Sequence, residues 1–218
     1  MSKEIELLKN IVKDIKNEEI EGQSFYSGKI GDKIIYLAQC GIGKVNSALS
    51  AYKLIKALNP DLVINSGVAG GAAAPIGSIL IADKVAYHDV WCGPGTVYGQ
   101  IQGLPLFLET DNKFLEASEK IDVPFKIYRG LICSGDKFIS TKEEIDFIKS
   151  RFPDVKAVDM ESASIGHTCY LTKTPFAIIR VVSDTPGEGE NISQYENFWT
   201  EAPVKTFKTV ATIIDSLK

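Results

Sequence analysis

"DLVINSGVAGG", residues 61–71, carries the transition on which the fold turns. Leu62, Val63 and Ile64 read as an apolar strand. Beyond Asn65 the chain passes Gly67, Gly70 and Gly71, which read as a glycine turn at the strand's carboxyl end. Glycine there lets backbone approach a ligand closely. A phosphate would call for a nearby Lys or Arg, or for the Gly-Lys-Ser/Thr ending of a P-loop, and neither follows. Working outward, apolar runs end in polar turns at "SILIADKVAYHD" (78–89), "YRGLICSGD" (128–136), "KAVDM" (156–160) and "PFAIIRVVSD" (175–184). Helical spacing separates them. Ile5, Leu8, Val12 and Ile15 predict a helix over 4–15. Val45, Ala48, Leu49, Tyr52 and Ile55 predict a second, stopping before Pro60. Further helices are expected over about 162–171 and 193–217. Strands alternating with helices imply one α/β domain of three layers, a central sheet flanked by helices. "SFYSGKI" and "KIIYLAQ" flank Gly31-Asp32 as a hairpin, which makes the sheet mixed. Residues 91–105, with four glycines and two prolines, read as a long functional loop.

The composition narrows the function. At 218 residues and 44% hydrophobic, the chain can bury a substantial core as one domain. No run reaches the roughly 18 apolar residues of a membrane span, and the charged "MSKEIELLKN" start lacks a signal-peptide stretch. A net charge of −4 without a basic run argues against nucleic acid and membrane partners. Cys40, Cys92, Cys133 and Cys169 form no Cys-x-x-Cys pair, which fits reduced, mostly buried thiols in a cytoplasmic protein. With only His88 and His167, a histidine-rich metal site is not expected.

Ligands of open α/β sheets bind beyond the strands' carboxyl ends. Polar groups gather there: the glycine turn, the turn before Phe138 and Ile139, Glu161 after "AVDM", and Ser183 and Asp184 with Arg180 upstream. Each also has a plainer reading. Asp184 opens "DTPG", a turn sequence. Glu161 precedes a helix whose dipole favours a carboxylate. Phe138 could be core. Arg180 in an apolar strand needs a carboxylate, and Glu161 is the expected partner.

The order of "GIGKVNSA" (41–48), "NSGVAGG" (65–71), "RGLICSGDKFI" (129–139), "VDMES" (158–162) and "RVVSD" (180–184) closely resembles the 5′-methylthioadenosine/S-adenosylhomocysteine nucleosidases of the nucleoside phosphorylase superfamily. The resemblance spans nearly the whole chain. It implies hydrolysis of the N-glycosidic bond of adenosine-like thionucleosides, with neither cofactor nor metal. Asp184 matches the acid that protonates adenine N7, and Ser183 orients it. Glu161 matches the ligand of the ribose hydroxyls, beside the backbone of Met160. Phe138 would stack on adenine and the backbone of Ile139 read its edge, with Ala69 and Gly70 shaping the pocket. Tyr195 resembles an aromatic residue covering the sugar and thio substituent. "MSKE" matches the end of the family's Gly-Ala-Met-x-x-Glu pattern, which makes Glu4 the candidate for activating water, in the manner of an inverting glycosidase.

Related phosphorylases carry an arginine near Asn65 and a serine or threonine near Val68 to grip phosphate. This sequence has neither, so the glycine segment is expected to serve a neutral nucleoside and a water. A phosphate-dependent purine nucleoside phosphorylase and a non-catalytic nucleoside-binding protein are the alternative functions. Many family members have serine at Val68. The family's first strand has no counterpart ahead of Glu4, so a form extended upstream is expected to be more active and more stable. The resemblance also implies a homodimer in which loop 91–105 closes the neighbouring pocket, with Trp91 and Tyr98 costly to leave exposed.

Overall fold

A computed structural model describes residues 2–122, 126–201 and 203–217, without the side chains of 2–4, 7, 199–201 and 203–208. Helix α1 (Ser2–Lys9) ends well short of the expected residue 15. Asp14 adopts φ 55°, which an α-helix cannot hold. The chain instead enters β1 (Lys13–Ile20), which pairs antiparallel with β2 (Gln23–Ile30). Leu8, Val12 and Ile15 still reach one cluster, but from a helix, a turn and a strand. The expected hairpin forms between β2 and β3 (Lys33–Ala38), with Gly31 at φ 58°. It does not make the main sheet mixed, because β1–β2–β3 stand as a separate antiparallel sheet.

Helix α2 (Lys44–Leu58) ends at Asn59 in the left-handed conformation, before Pro60. Of its expected apolar face only Ile55 is buried. Ser47, Ser50, Ala51 and Ile55 are buried, whereas Val45, Leu49 and Tyr52 are 68%, 55% and 51% exposed. Small residues win the inner face because α2 lies close against α5 (Ser162–Thr172), where the Ser47 and Ser164 hydroxyls meet at 2.6 Å.

The decisive stretch also differs from expectation. Strand β4 runs Val63–Gly71, through the glycines rather than up to them. Gly70 and Gly71 are needed for close packing, not for a turn. A Cβ on Gly71 would meet Ala74 O at 2.4 Å and Val182 Cγ1 at 2.6 Å, and one on Gly70 would meet Pro186 Cγ at 2.6 Å.

Beyond it come β5 (Ile79–Tyr87), the long loop, β6 (Leu108–Glu109), α3 (Asn112–Glu119), β7 (Ile127–Ser134) and α4 (Lys142–Arg151). The chain continues through β8 (Val155–Asp159), α5, β9 (Phe176–Asp184), α6 (Asn191–Glu201) and α7 (Pro203–Ser216). The expected single last helix is therefore two, the second opening at Pro203, a residue suited to a first helical position. The central sheet has the order β6-β5-β7-β8-β4-β9, and β5 also pairs with β9, closing five strands into a ring. It is mixed because β4–β8, β5–β6 and β5–β9 are antiparallel while its other pairs are parallel. Helices α2 and α5 cover one apolar cluster, and α7 packs with β1–β3 residues over another, giving three layers. Cys133 and Cys169 are buried, while Cys92 is exposed.

Replacing Gly71 by alanine is expected to cost about 1–3 kcal/mol, since the new methyl meets a carbonyl oxygen and a core valine. Urea unfolding reads the change; an unaltered midpoint would show that β4 does not need glycine there.

Candidate active site

The carboxyl ends of β4, β8 and β9 and the turn after β7 enclose a cavity of about 430 Å³. Of the residues selected from the sequence, Ala69, Gly70, Phe138, Ile139, Met160 and Glu161 line it, and so do Arg180, Ser183, Asp184 and Tyr195. The side chain of Glu4 lies outside the described residues.

Strand β9 fixes Asp184. Asp184 is 2% exposed at the strand's last position, beside the side-chain-free Gly70. Oγ of Ser183 lies 2.7 Å from Asp184 Oδ1 and 3.3 Å from Ala69 O, and its single proton goes to the nearer acceptor. The other oxygen, Oδ2, accepts from Nδ2 of Asn191 at 3.3 Å. Burial raises the carboxyl above its ordinary range, while the bonds from Ser183 and Asn191 oppose that rise. Both oxygens are thus engaged away from the "DTPG" turn.

Arg180 does not pair with Glu161. Its Nε donates to Asp159 Oδ2 at 2.8 Å, Nη1 donates to the carbonyl of Asn65 at 3.1 Å, and Nη2 reaches the Asn65 side chain. In the register Arg180 lies beside Gly67 of β4, and its guanidinium reaches across that strand to Asp159 at the end of β8. Asp159 is satisfied further by the Ser134 hydroxyl at 2.5 Å and by the backbone and hydroxyl of Ser162. Glu161 opens α5 but makes no side-chain cap to it. Its Oε1 instead accepts from the backbone N–H of Gly43, 3.0 Å away at the start of α2. Gly43 sits at φ 85°, and a Cβ there would meet Asp136 Oδ1 at 2.8 Å. Phe138 meets Tyr195 of α6 edge-on, ring centres 5.8 Å apart, so both aromatics stand at the cavity.

Asp159, Asn65 and Asn191 were not singled out from the sequence. Asp159 was detectable, since an aspartate in "KAVDM" shares a strand face with Val155 and Ala157 and so points inward beside a buried arginine. Asn191 gave no comparable signal. Among the described residues, no group of three or more His, Cys, Asp or Glu side chains is placed to hold a metal ion.

The phosphorylase superfamily profile matches residues 1–215. A 5′-methylthioadenosine/S-adenosylhomocysteine nucleosidase of Staphylococcus epidermidis is 38% identical over 224 residues, covering 100% of this chain and 97% of that protein. The chain belongs to this nucleosidase family. The corresponding Neisseria meningitidis enzyme, solved with methylthio-immucillin-A, superposes with a TM-score of 0.94 at 36% identity, over 100% of this chain and 96% of its own. A Colwellia psychrerythraea nucleosidase in complex with adenine gives a TM-score of 0.93 at 33% identity, over 100% and 93%. The fold is therefore that of the nucleosidase family.

Replacing Asp159 by alanine leaves a buried guanidinium without its carboxylate, and about 3–5 kcal/mol of stability is expected to be lost. Denaturant titration measures it; a loss below about 1 kcal/mol would place Arg180 in contact with water.

Proposed function

We propose roles for these residues in the family's reaction. The chain hydrolyses the N-glycosidic bond of 5′-methylthioadenosine and S-adenosylhomocysteine, giving adenine and a thio-substituted ribose. One observation carries the assignment: Asp184 is buried at the cavity with its carboxyl raised toward the protonated form. As the bond breaks, adenine gains negative charge, and a neutral carboxylic acid at N7 supplies the proton that lets it leave. Ser183 orients that acid. Glu161, held by Gly43, takes the ribose hydroxyls beside the Met160 backbone. Phe138 stacks on the base, Ile139 reads its edge, and Tyr195 covers the sugar and thio group. Arg180 holds Asp159 rather than Glu161, so it acts on the floor of the site and not on the ribose ligand. Glu4 is assigned to water activation on the family resemblance alone.

Water rather than phosphate as nucleophile is supported by the charge around the cavity. Arg180 is bound to Asp159, and Lys137 pairs with Glu144 at 2.5 Å. Adenine release from methylthioadenosine should therefore be unchanged by added phosphate. Formation of ribose 1-phosphate derivatives would turn the reading to a phosphorylase.

The homodimer is supported by apolar surface. Trp91 is 62% exposed, and Val45, Leu49 and Tyr52 face outward from α2. Tyr98 is not part of that surface, because its ring packs on Phe147 and Phe152 and its hydroxyl bonds the carbonyl of His88. Light scattering is expected to give twice the 23.8 kDa chain mass; a fully active monomer at micromolar concentration would remove the proposal. A cytoplasmic location accords with four free thiols, and cell fractionation tests it. No helix among the described residues is long and apolar enough to cross a membrane.

Asp184→Asn keeps the shape but cannot transfer a proton. Turnover is expected to fall about 100- to 10,000-fold, with an adenine-containing inhibitor still bound. The acid must be protonated to act, so kcat/KM in the unaltered enzyme should be lost as pH rises through the raised Asp184 value. A rate loss under tenfold in the variant would take Asp184 out of this role.

A further inference from the structure

Asn191 begins α6 and is 4% exposed. An asparagine at a helix start ordinarily uses its side-chain oxygen to cap the helix. Here the side-chain nitrogen is engaged, and it points off the helix. Nδ2 donates to Asp184 Oδ2 and to the carbonyl of Ile139, each at 3.3 Å. A carboxamide nitrogen carries two protons, so both bonds can be made at once. The two acceptors come from separate parts of the chain, the end of β9 and the turn after β7. In the function proposed above, one is the proton donor and the other belongs to the backbone that reads the adenine edge.

We propose that Asn191 is a positioning residue for the hydrolysis: one amide nitrogen sets the carboxyl of Asp184 against the adenine-reading backbone at Ile139. The inference rests on the reading of Asp184 as the acid. Protonation of a leaving base depends on the acid lying within hydrogen-bond reach of one ring nitrogen, and an error of about 1 Å can cost a hundredfold in rate. β9 alone fixes the acid relative to the sheet, not relative to the turn that holds the base. Asn191 supplies that missing link. It also connects the acid to the docking of α6, whose Gln194 Oε1 accepts from Thr185 N at 2.9 Å and whose Tyr195 meets Phe138.

The arrangement has a signature that a purely structural asparagine would lack. A donor aimed at Oδ2 favours the ionised carboxylate, so its removal should raise the acid's pKa further. The surroundings leave this effect readable. From β4 the uncharged Gly70 and Gly71 lie beside Asp184, and from α6 the uncharged Asn191. The charged groups lining the same cavity are Lys137 from the turn after β7, Asp159 and Glu161 from the end of β8, and Arg180 from β9. Lys137 and Arg180 are each paired with a carboxylate.

The test uses the full chain as the unaltered enzyme, Asn191→Ala, Asn191→Gln, Asn191→Asp and Asp184→Asn. Adenine release from methylthioadenosine is followed across pH, with melting temperatures alongside. Asn191→Ala is expected to lower kcat about tenfold with a smaller change in KM. It should also move the alkaline limb of kcat/KM upward by about one pH unit. Asn191→Asp, which puts a second carboxyl beside the first, should move the limb further the same way. Asn191→Gln retains the donor and should return the limb toward its original position. If the alanine variant does not fold, the aspartate and glutamine variants make the same comparison. An unshifted limb in the Asn191 variants, with Asp184→Asn inactive, overturns the inference and leaves the acid assignment standing. An Asp184→Asn enzyme that keeps its rate overturns the acid assignment, and this inference falls with it.

Discussion

The buried pair between Arg180 and Asp159 is the constraint on which the site depends. A guanidinium and a carboxylate taken from water lose several kcal/mol of solvation each, and their attraction seldom leaves a net gain. Here their polar partners are supplied from within the sheet. Arg180 of β9 reaches Asn65 of β4 and Asp159 of β8, and Asp159 in turn takes the hydroxyls of Ser134 from β7 and Ser162 from α5. Four strands are thereby tied at one point. The result is geometric more than stabilising. Glu161 lies two residues beyond Asp159, and Asp184 four beyond Arg180, so both cavity carboxylates are placed by the same knot.

The glycine-rich end of β4 complements it. Gly70 and Gly71 let β9 and the turn at Pro186 come close, and Asp184 is buried beside them. The acid's raised pKa is therefore a packing effect produced by residues that carry no charge.

Much of this was legible in the sequence, and the misreadings have identifiable causes. The strands at 78–89, 128–136, 156–160 and 175–184 were plain because their apolar runs end in polar turns. The glycines of β4 read as a turn because glycine signals both tight bends and close approach, and only the neighbouring strands decide between them. The α2 face was assigned by hydrophobicity, whereas α5 selected small residues and turned Val45, Leu49 and Tyr52 outward. Helix α4 was legible but not read: Thr141 and Glu144 form a reciprocal capping box. The partner of Arg180 was misassigned because spacing along a chain does not say which of two carboxylates, Asp159 or Glu161, faces the neighbouring strand. Asn191 lies seven residues from Asp184 across a loop whose path the sequence does not specify.

Closure of five strands into a ring has a consequence for selectivity. Strands paired around a ring cannot splay singly, so Asp184, Arg180 and Asp159 form an unyielding floor. The opposite wall is of another kind: Phe138 stands on a turn and Tyr195 on a peripheral helix. A pocket with a rigid floor and a compliant wall is strict toward the half of a ligand it seats on the floor and lenient toward the half beneath the wall. The part of a ligand held by α6 is then less closely discriminated than the part seated against Asp184. Amide hydrogen exchange should rank accordingly, slowest in β4 and β9 and faster in α6; equal protection would mean that the wall is as stiff as the floor.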